Sequence, residues 1–194
     1  MAGRLKVAIA DDEPDTREFL RETLTDLGHE VVAVAETGKQ LVELCRDARP
    51  DLVITDIKMP GMDGIDAAHQ ICRDYPTPVI LVSAYHESEL VERSLEEHVM
   101  SYLVKPVKSS DLEPAIALAM RRFEQFQELR MEAHDLRQAL ADRKTIERAK
   151  GFLMKRSGLS EQDAFKRLQR LASDKNLKLA AVAQMLVTAD EALG

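Results

Sequence analysis

The chain has 194 residues, 45% of them hydrophobic, with two cysteines and a net charge of −7. That length allows one large domain or two small ones, with enough apolar residues for an ordinary core. No stretch approaches the roughly 20 apolar residues of a membrane span, and the opening "MAGRLKVAIADDEP" is too short an apolar run for a secretion signal, so the sequence reads as a cytoplasmic protein.

Residues 5–10, "LKVAIA", form a continuous apolar run, the pattern of a strand buried on both faces. Pro14, preceded by Asp12 and Glu13, opens a helix whose stripe of Phe19, Leu20, Thr23, Leu24 and Leu27 stops at Gly28. Residues 29–35 predict a second strand and 38–48 a helix with Leu41, Leu44, Cys45 and Ala48 on one face. A third strand over 51–55 leads into a helix from about Gly64 to Asp74. A fourth over 78–83 leads into a helix over roughly 87–97, and a fifth covers 100–104. Five such alternations predict a doubly wound α/β domain with a five-stranded parallel sheet. Cys45 and Cys72 lack metal or redox spacing and read as buried, reduced thiols; the five histidines are scattered without ligand spacing.

From Ser109 the pattern becomes helical, with no Gly or Pro between Ala115 and Lys150. Leu112, Ile116, Ala119, Phe123, Phe126, Leu129, Ala133, Leu136 and Leu140 recur at three and four, a narrow seam that needs a partner helix. The seam favours a homodimeric coiled coil over packing within the chain. Residues 144–190 then read as a small helical bundle: Gly158 ends one helix, Ser160 opens the next with Asp163 three residues on, and residues 177–187 supply the last apolar stripe. Charge divides along the same lines. Residues 143–178 hold 11 Lys/Arg against 4 Asp/Glu, whereas residues 1–142 carry −12, which suggests two modules with different partners.

Five chemistry-bearing residues fall where strands end: Asp11 and Asp12 after the first, Asp56 after the third, Ser83 at the end of the fourth, Lys105 after the fifth. In parallel sheets of this kind ligands sit outside the carboxyl ends of the strands. Clustered carboxylates resist ionisation unless a cation is present, and a hard, oxygen-rich site suits Mg²⁺. A carboxylate beside Mg²⁺, a lysine and a hydroxyl is equipped to attack phosphorus, and it needs no base to do so.

These residues, with "DIKMPGMDG" from Asp56 and "YLVKP" from Tyr102, resemble the receiver domain of bacterial response regulators over about residues 4–122. The resemblance implies that Asp56 accepts phosphate from a histidine kinase, that Asp12, Asp56 and the backbone carbonyl of Lys58 bind Mg²⁺ directly, and that Asp11 acts through water. It also implies that Lys105 holds a phosphate oxygen, Ser83 follows the phosphoryl group and Tyr102 turns inward with it. On this reading the protein is not an enzyme beyond slow self-dephosphorylation.

"IERAKGFLM" (146–154), "EQDAFKRLQRLA" and "LAAVAQML" resemble the ANTAR domain, a three-helix RNA-binding module of transcription antiterminators. That resemblance implies binding to stem-loops of leader transcripts as a dimer, with contacts from Arg143, Lys150, Arg156, Lys166, Arg167 and Arg170. The expected organisation is a receiver at 1–122, a coiled-coil connector at 123–143 and an ANTAR-like RNA-binding domain at 144–194. The competing readings are a DNA-binding regulator and a dimerising phosphorelay protein without a nucleic-acid output.

Overall fold

A computed structural model describes residues 3–84 and 99–191. The helix expected over 87–97 lies outside the described residues. The chain divides into two compact units, residues 1–127 and 128–194.

The first unit contains β1 (Lys6–Ala10), α1 (Pro14–Asp26), β2 (Glu30–Ala35), α2 (Gly38–Ala48), β3 (Leu52–Asp56), α3 (Gly64–Asp74), β4 (Val79–Ser83) and β5 (Val99–Val104). It also contains the beginning of α4, which runs from Ser109 to Ser157 and enters the second unit. All pairings are parallel, in the order β2-β1-β3-β4-β5, so the expected five-stranded sheet is present. Of the three inner strands, β3 and β4 are buried at every position and β1 at all but its first, whereas edge strand β2 alternates. This is why the former read as unbroken apolar runs.

Alternate side chains leave the sheet on opposite faces. Ala8, Ala10, Val53, Val79 and Leu81 pack with Leu41 and Val42 of α2 and Ile65 and Ile71 of α3. Val7, Ile9, Ile54, Ile80 and Val82 pack with Leu20 and Leu24 of α1 and Leu112, Ile116 and Ala119 of α4. Burying a Leu or Ile fully stabilises by about 1.5–3 kcal/mol, so Leu112 and Ile116, both essentially inaccessible, anchor the first turns of α4. Cys45 and Cys72 are buried and unbridged, as expected. Burial pushes the Cys45 thiol up to about 12, which makes it inert at neutral pH.

The helical seam divides. Phe123 and Phe126, expected at a contact between helices of a coiled coil, pack instead against the sheet-side cluster of their own unit. Leu129, Leu136 and Leu140 are 65%, 59% and 65% exposed.

In the second unit the end of α4 packs with α5 (Glu161–Lys175) and α6 (Leu179–Glu191) around Ala149, Leu153, Ala164, Leu168, Val182, Ala183 and Val187. Gly158, at φ +63°, ends α4. The Ser160 side chain caps α5 by accepting from the Asp163 N–H at 3.2 Å, and Asn176, at φ +51°, ends it. No described helix is long and apolar enough to cross a membrane.

Candidate phosphoacceptor and nucleic-acid sites

The strand order reverses direction between β1 and β3, and the crevice above that point is where such sheets bind ligands. Asp11 and Asp12 follow β1 and Asp56 ends β3. One carboxylate oxygen from each lies within 4.8 Å of the others. Lys105, just after β5, directs its Nζ to Asp11 Oδ2 at 3.0 Å, Asp56 Oδ1 at 3.3 Å and Glu13 Oε2 at 3.8 Å. Its backbone N–H donates to the Ser83 carbonyl, which ties β5 to β4 at this edge. The Lys105–Pro106 peptide is cis.

Asp11 and Asp56 are buried while Asp12 is exposed at the mouth. Burial pushes the Asp56 carboxyl up to about 6; Asp11 and Asp12 add to this and Lys105 opposes it. Burial works against the Lys105 ammonium, yet its contact with Asp11 and the charge of Asp56 outweigh that, and its pKa is raised. Asp11 Oδ1 accepts from the Glu13 N–H at 3.0 Å. Asp11 Oδ2 is buried and has no hydrogen-bond partner; the Lys105 ammonium meets it as an ion pair at 3.0 Å. A buried carboxylate oxygen without a donor, in a group of three hard oxygen ligands, fits a hard divalent cation.

Ser83 is buried at the end of β4, Tyr102 is half-buried on β5, and Lys58 lies exposed in the turn two residues after Asp56. Three features were not anticipated from the sequence. Arg17 of α1 holds the carbonyls of Asp11 and Asp12 at 2.8 and 3.0 Å. Gly64, at the start of α3, lies so close beneath the acidic strand end that a Cβ there would fall onto the Asp56 carbonyl. At Gly38 an added Cβ would meet the Met62 carbonyl at 2.5 Å, so the α2 start closes against the β3–α3 loop. The "DG" pair at 63–64 marks a turn in the sequence, but not this contact; a single arginine on a helix gives no signal.

The second unit carries two basic grooves. Arg148, Gly151, Phe152, Lys155 and Arg156 line one on α4, and Lys166, Arg167 and Arg170 of α5 line the other with Leu159, Asp163, Leu171 and Asp174. The Arg156 guanidinium lies over the Phe152 ring, 5.5 Å from its centroid. Arg143, Arg156, Lys166, Arg167 and Arg170 are exposed. Lys150 differs from the other expected contacts. It is buried, and its Nζ meets Glu147 at 3.0 Å and Glu161 at 2.6 Å. The hydrogen bonds it donates to Glu161 and Glu147 raise its pKa. Lys150 therefore ties α4 to the start of α5, and its charge is already compensated inside the unit.

A β2-β1-β3-β4-β5 sheet with acidic loops and a lysine at its carboxyl edge defines a receiver-type signalling domain, here followed by a helical output unit. Residues 7–117 match the response regulator receiver domain and residues 134–187 match the ANTAR domain. The chain is 43% identical over 182 residues to the transcriptional regulatory protein PdtaR of Mycobacterium tuberculosis, which covers 94% of this chain and 89% of that one. It is 38% identical over 120 residues to the positive alginate biosynthesis regulatory protein of Pseudomonas aeruginosa, covering 60% of this chain and 48% of that one. Among solved structures, the signal receiver domain of a modulated diguanylate cyclase from Desulfovibrio desulfuricans is similar with a TM-score of 0.59 at 27% identity, covering 63% of this chain and 98% of that one. The REC domain of AraT from Geobacillus stearothermophilus gives 0.57 at 33%, covering 64% and 99%. The chain belongs to the response regulators, with a receiver domain followed by an ANTAR output domain, and is a regulatory protein.

Proposed function

We propose that Asp56 is the phosphoacceptor of a two-component pathway and that the ANTAR unit binds RNA stem-loops to prevent transcription termination. The observation that carries the first half is the convergence of Asp11, Asp12, Asp56 and Lys105 on one crevice. With an ionised Asp56, an Oδ attacks the phosphorus of a kinase phosphohistidine; the new O–P bond forms as the N–P bond breaks. Lys105, already 3.3 Å from Asp56 Oδ1, follows the transferred phosphoryl oxygen. Asp11, Asp12, Asp56 and the Lys58 carbonyl would hold Mg²⁺, which when bound neutralises charge on the phosphoryl group. Ser83 donates to the phosphoryl group, and Tyr102 responds to that movement.

The domain assignment is a receiver at 1–122, a connector at 123–143 and an RNA-binding domain at 144–194. Exposed Leu129, Leu136 and Leu140 support a homodimer through the connector, because a lone helix would leave that stripe in water. The basic grooves supply Arg143, Arg156, Lys166, Arg167 and Arg170 for RNA phosphates; Lys150 is left out of this set because it is buried between two carboxylates.

Incubation with a small phosphodonor and Mg²⁺ should add one phosphoryl group to the wild type and none to Asp56→Asn. Full labelling of that variant would remove the phosphoacceptor assignment. Phosphorylated protein should bind a paired stem-loop RNA more tightly than duplex DNA of equal charge. Equal affinity for both would reduce the output to nonspecific electrostatics.

A further inference from the structure

Asp11 and Asp12 are adjacent in the chain, and adjacent residues of a strand point to opposite faces. Yet both offer an oxygen to one group with Asp56, all within 4.8 Å. The chain must leave the extended conformation between them. When it does so, the two carbonyls that would have continued the sheet ladder lose strand partners. A backbone acceptor left without a donor is costly where water is scarce.

Arg17 supplies the donors. One nitrogen, Nη1, donates to both the Asp11 carbonyl at 2.8 Å and the Asp12 carbonyl at 3.0 Å. The other, Nη2, donates to Glu36 Oε1 at 2.9 Å. The arginine side chain is only 14% exposed, whereas Glu36 is 67% exposed. A pair with so exposed an acid contributes little by itself. The bonds to the two carbonyls are the ones that fix backbone geometry. Arg17 stands on the first turns of α1 and so braces the β1–α1 loop from beneath, while Glu36 orients the guanidinium from the end of β2.

We infer that Arg17 is a positioning residue for the acidic site, holding the β1–α1 loop in the bend that turns both Asp11 and Asp12 toward Asp56. This rests on the reading of that crevice as a divalent-cation and phosphoryl site. Geometry and charge make opposite demands here. If Arg17 acted only as a nearby positive charge, it would repel a cation, and removing it would tighten cation binding. If it acts by fixing the loop, removing it loosens the ligand set and weakens binding.

The test is calorimetric titration of the full-length, unphosphorylated protein with Mg²⁺, comparing wild type, Arg17→Gln, Arg17→Lys and Glu36→Gln. Both Arg17 variants should weaken Mg²⁺ binding by about tenfold, the lower end of what outer supports of metal ligands contribute. Lysine keeps the charge but lacks the planar fork, so it should not rescue. Glu36→Gln should stay near wild type. Labelling of Arg17→Lys by a phosphodonor should return toward wild type at saturating Mg²⁺, a split that general unfolding would not produce. Unchanged or tighter Mg²⁺ binding by Arg17→Gln, or full rescue by Arg17→Lys, would overturn the inference. If Arg17→Gln fails to fold, the Arg17→Lys titration decides. Wild type that binds no Mg²⁺, or binds it equally after Asp12→Asn and Asp56→Asn, would instead remove the cation site itself and the inference with it.

Discussion

Replacing Asp56 with asparagine should stabilise the metal-free receiver, although it removes the proposed phosphoacceptor. The folded protein raises the Asp56 pKa from 3.8 to about 6, with burial as the main cause. The folded state therefore binds the proton more tightly than the unfolded state. Below about pH 4 the group is neutral in both states and contributes nothing. As pH rises through the window from 3.8 to about 6, the unfolded chain gains charge freely while the folded chain resists, and stability falls. Above about pH 6 the full cost is present. Two pH units correspond to a ceiling of about 3 kcal/mol. Water at the mouth screens part of this, so about 1–2 kcal/mol is the working expectation. Asparagine keeps the shape and carries no charge. Its advantage should be near zero at pH 4, grow with pH and level off by pH 7. All three tyrosines, Tyr75, Tyr85 and Tyr102, fall within residues 1–127, so tyrosine fluorescence during urea unfolding reports that unit within the intact chain. Saturating Mg²⁺ should erase the difference by stabilising the wild type alone. An Asp56→Asn protein no more stable than wild type at pH 7.5 without divalent cations would refute the reasoning, because the buried carboxylate would then carry no penalty.

Gly64→Ala should destabilise the receiver by about 3 kcal/mol or more, since its Cβ meets backbone rather than a movable side chain; a urea midpoint equal to wild type would contradict this. Lys150→Met should leave the slope of log affinity against log salt for stem-loop RNA unchanged, whereas Arg156→Gln should lower it by about one unit per lost phosphate contact. A matching drop in the Lys150 variant would return that residue to the RNA face. Leu136→Glu with Leu140→Glu should leave both units folded by circular dichroism and shift the phosphorylated protein toward monomer in sedimentation. An unchanged mass would mean that this exposed stripe is not a dimer contact.

The sequence by itself determined the alternation of strands and helices, because central parallel strands must be apolar at every position while the helices between them show a single stripe. It also determined that Asp11, Asp12, Asp56, Ser83 and Lys105 share one edge, since parallel strands present all their carboxyl ends on the same side. Gly158 and Ser160 marked the helix boundary in the second unit because capping chemistry is local. Tertiary structure decided the rest. Periodicity could not say what covers a helical stripe, and the one reading from Leu112 to Leu140 proved to hold Phe123 and Phe126 against their own unit while leaving Leu136 and Leu140 exposed. Composition counted Lys150 as one more basic residue, but its charge is met by Glu161, eleven residues away, through a helix packing that no local pattern encodes. The bracing by Arg17 and the clearance at Gly64 belong to the same class. Each depends on which backbone atoms the fold brings near, and backbone carbonyls carry no trace of their neighbours in the sequence.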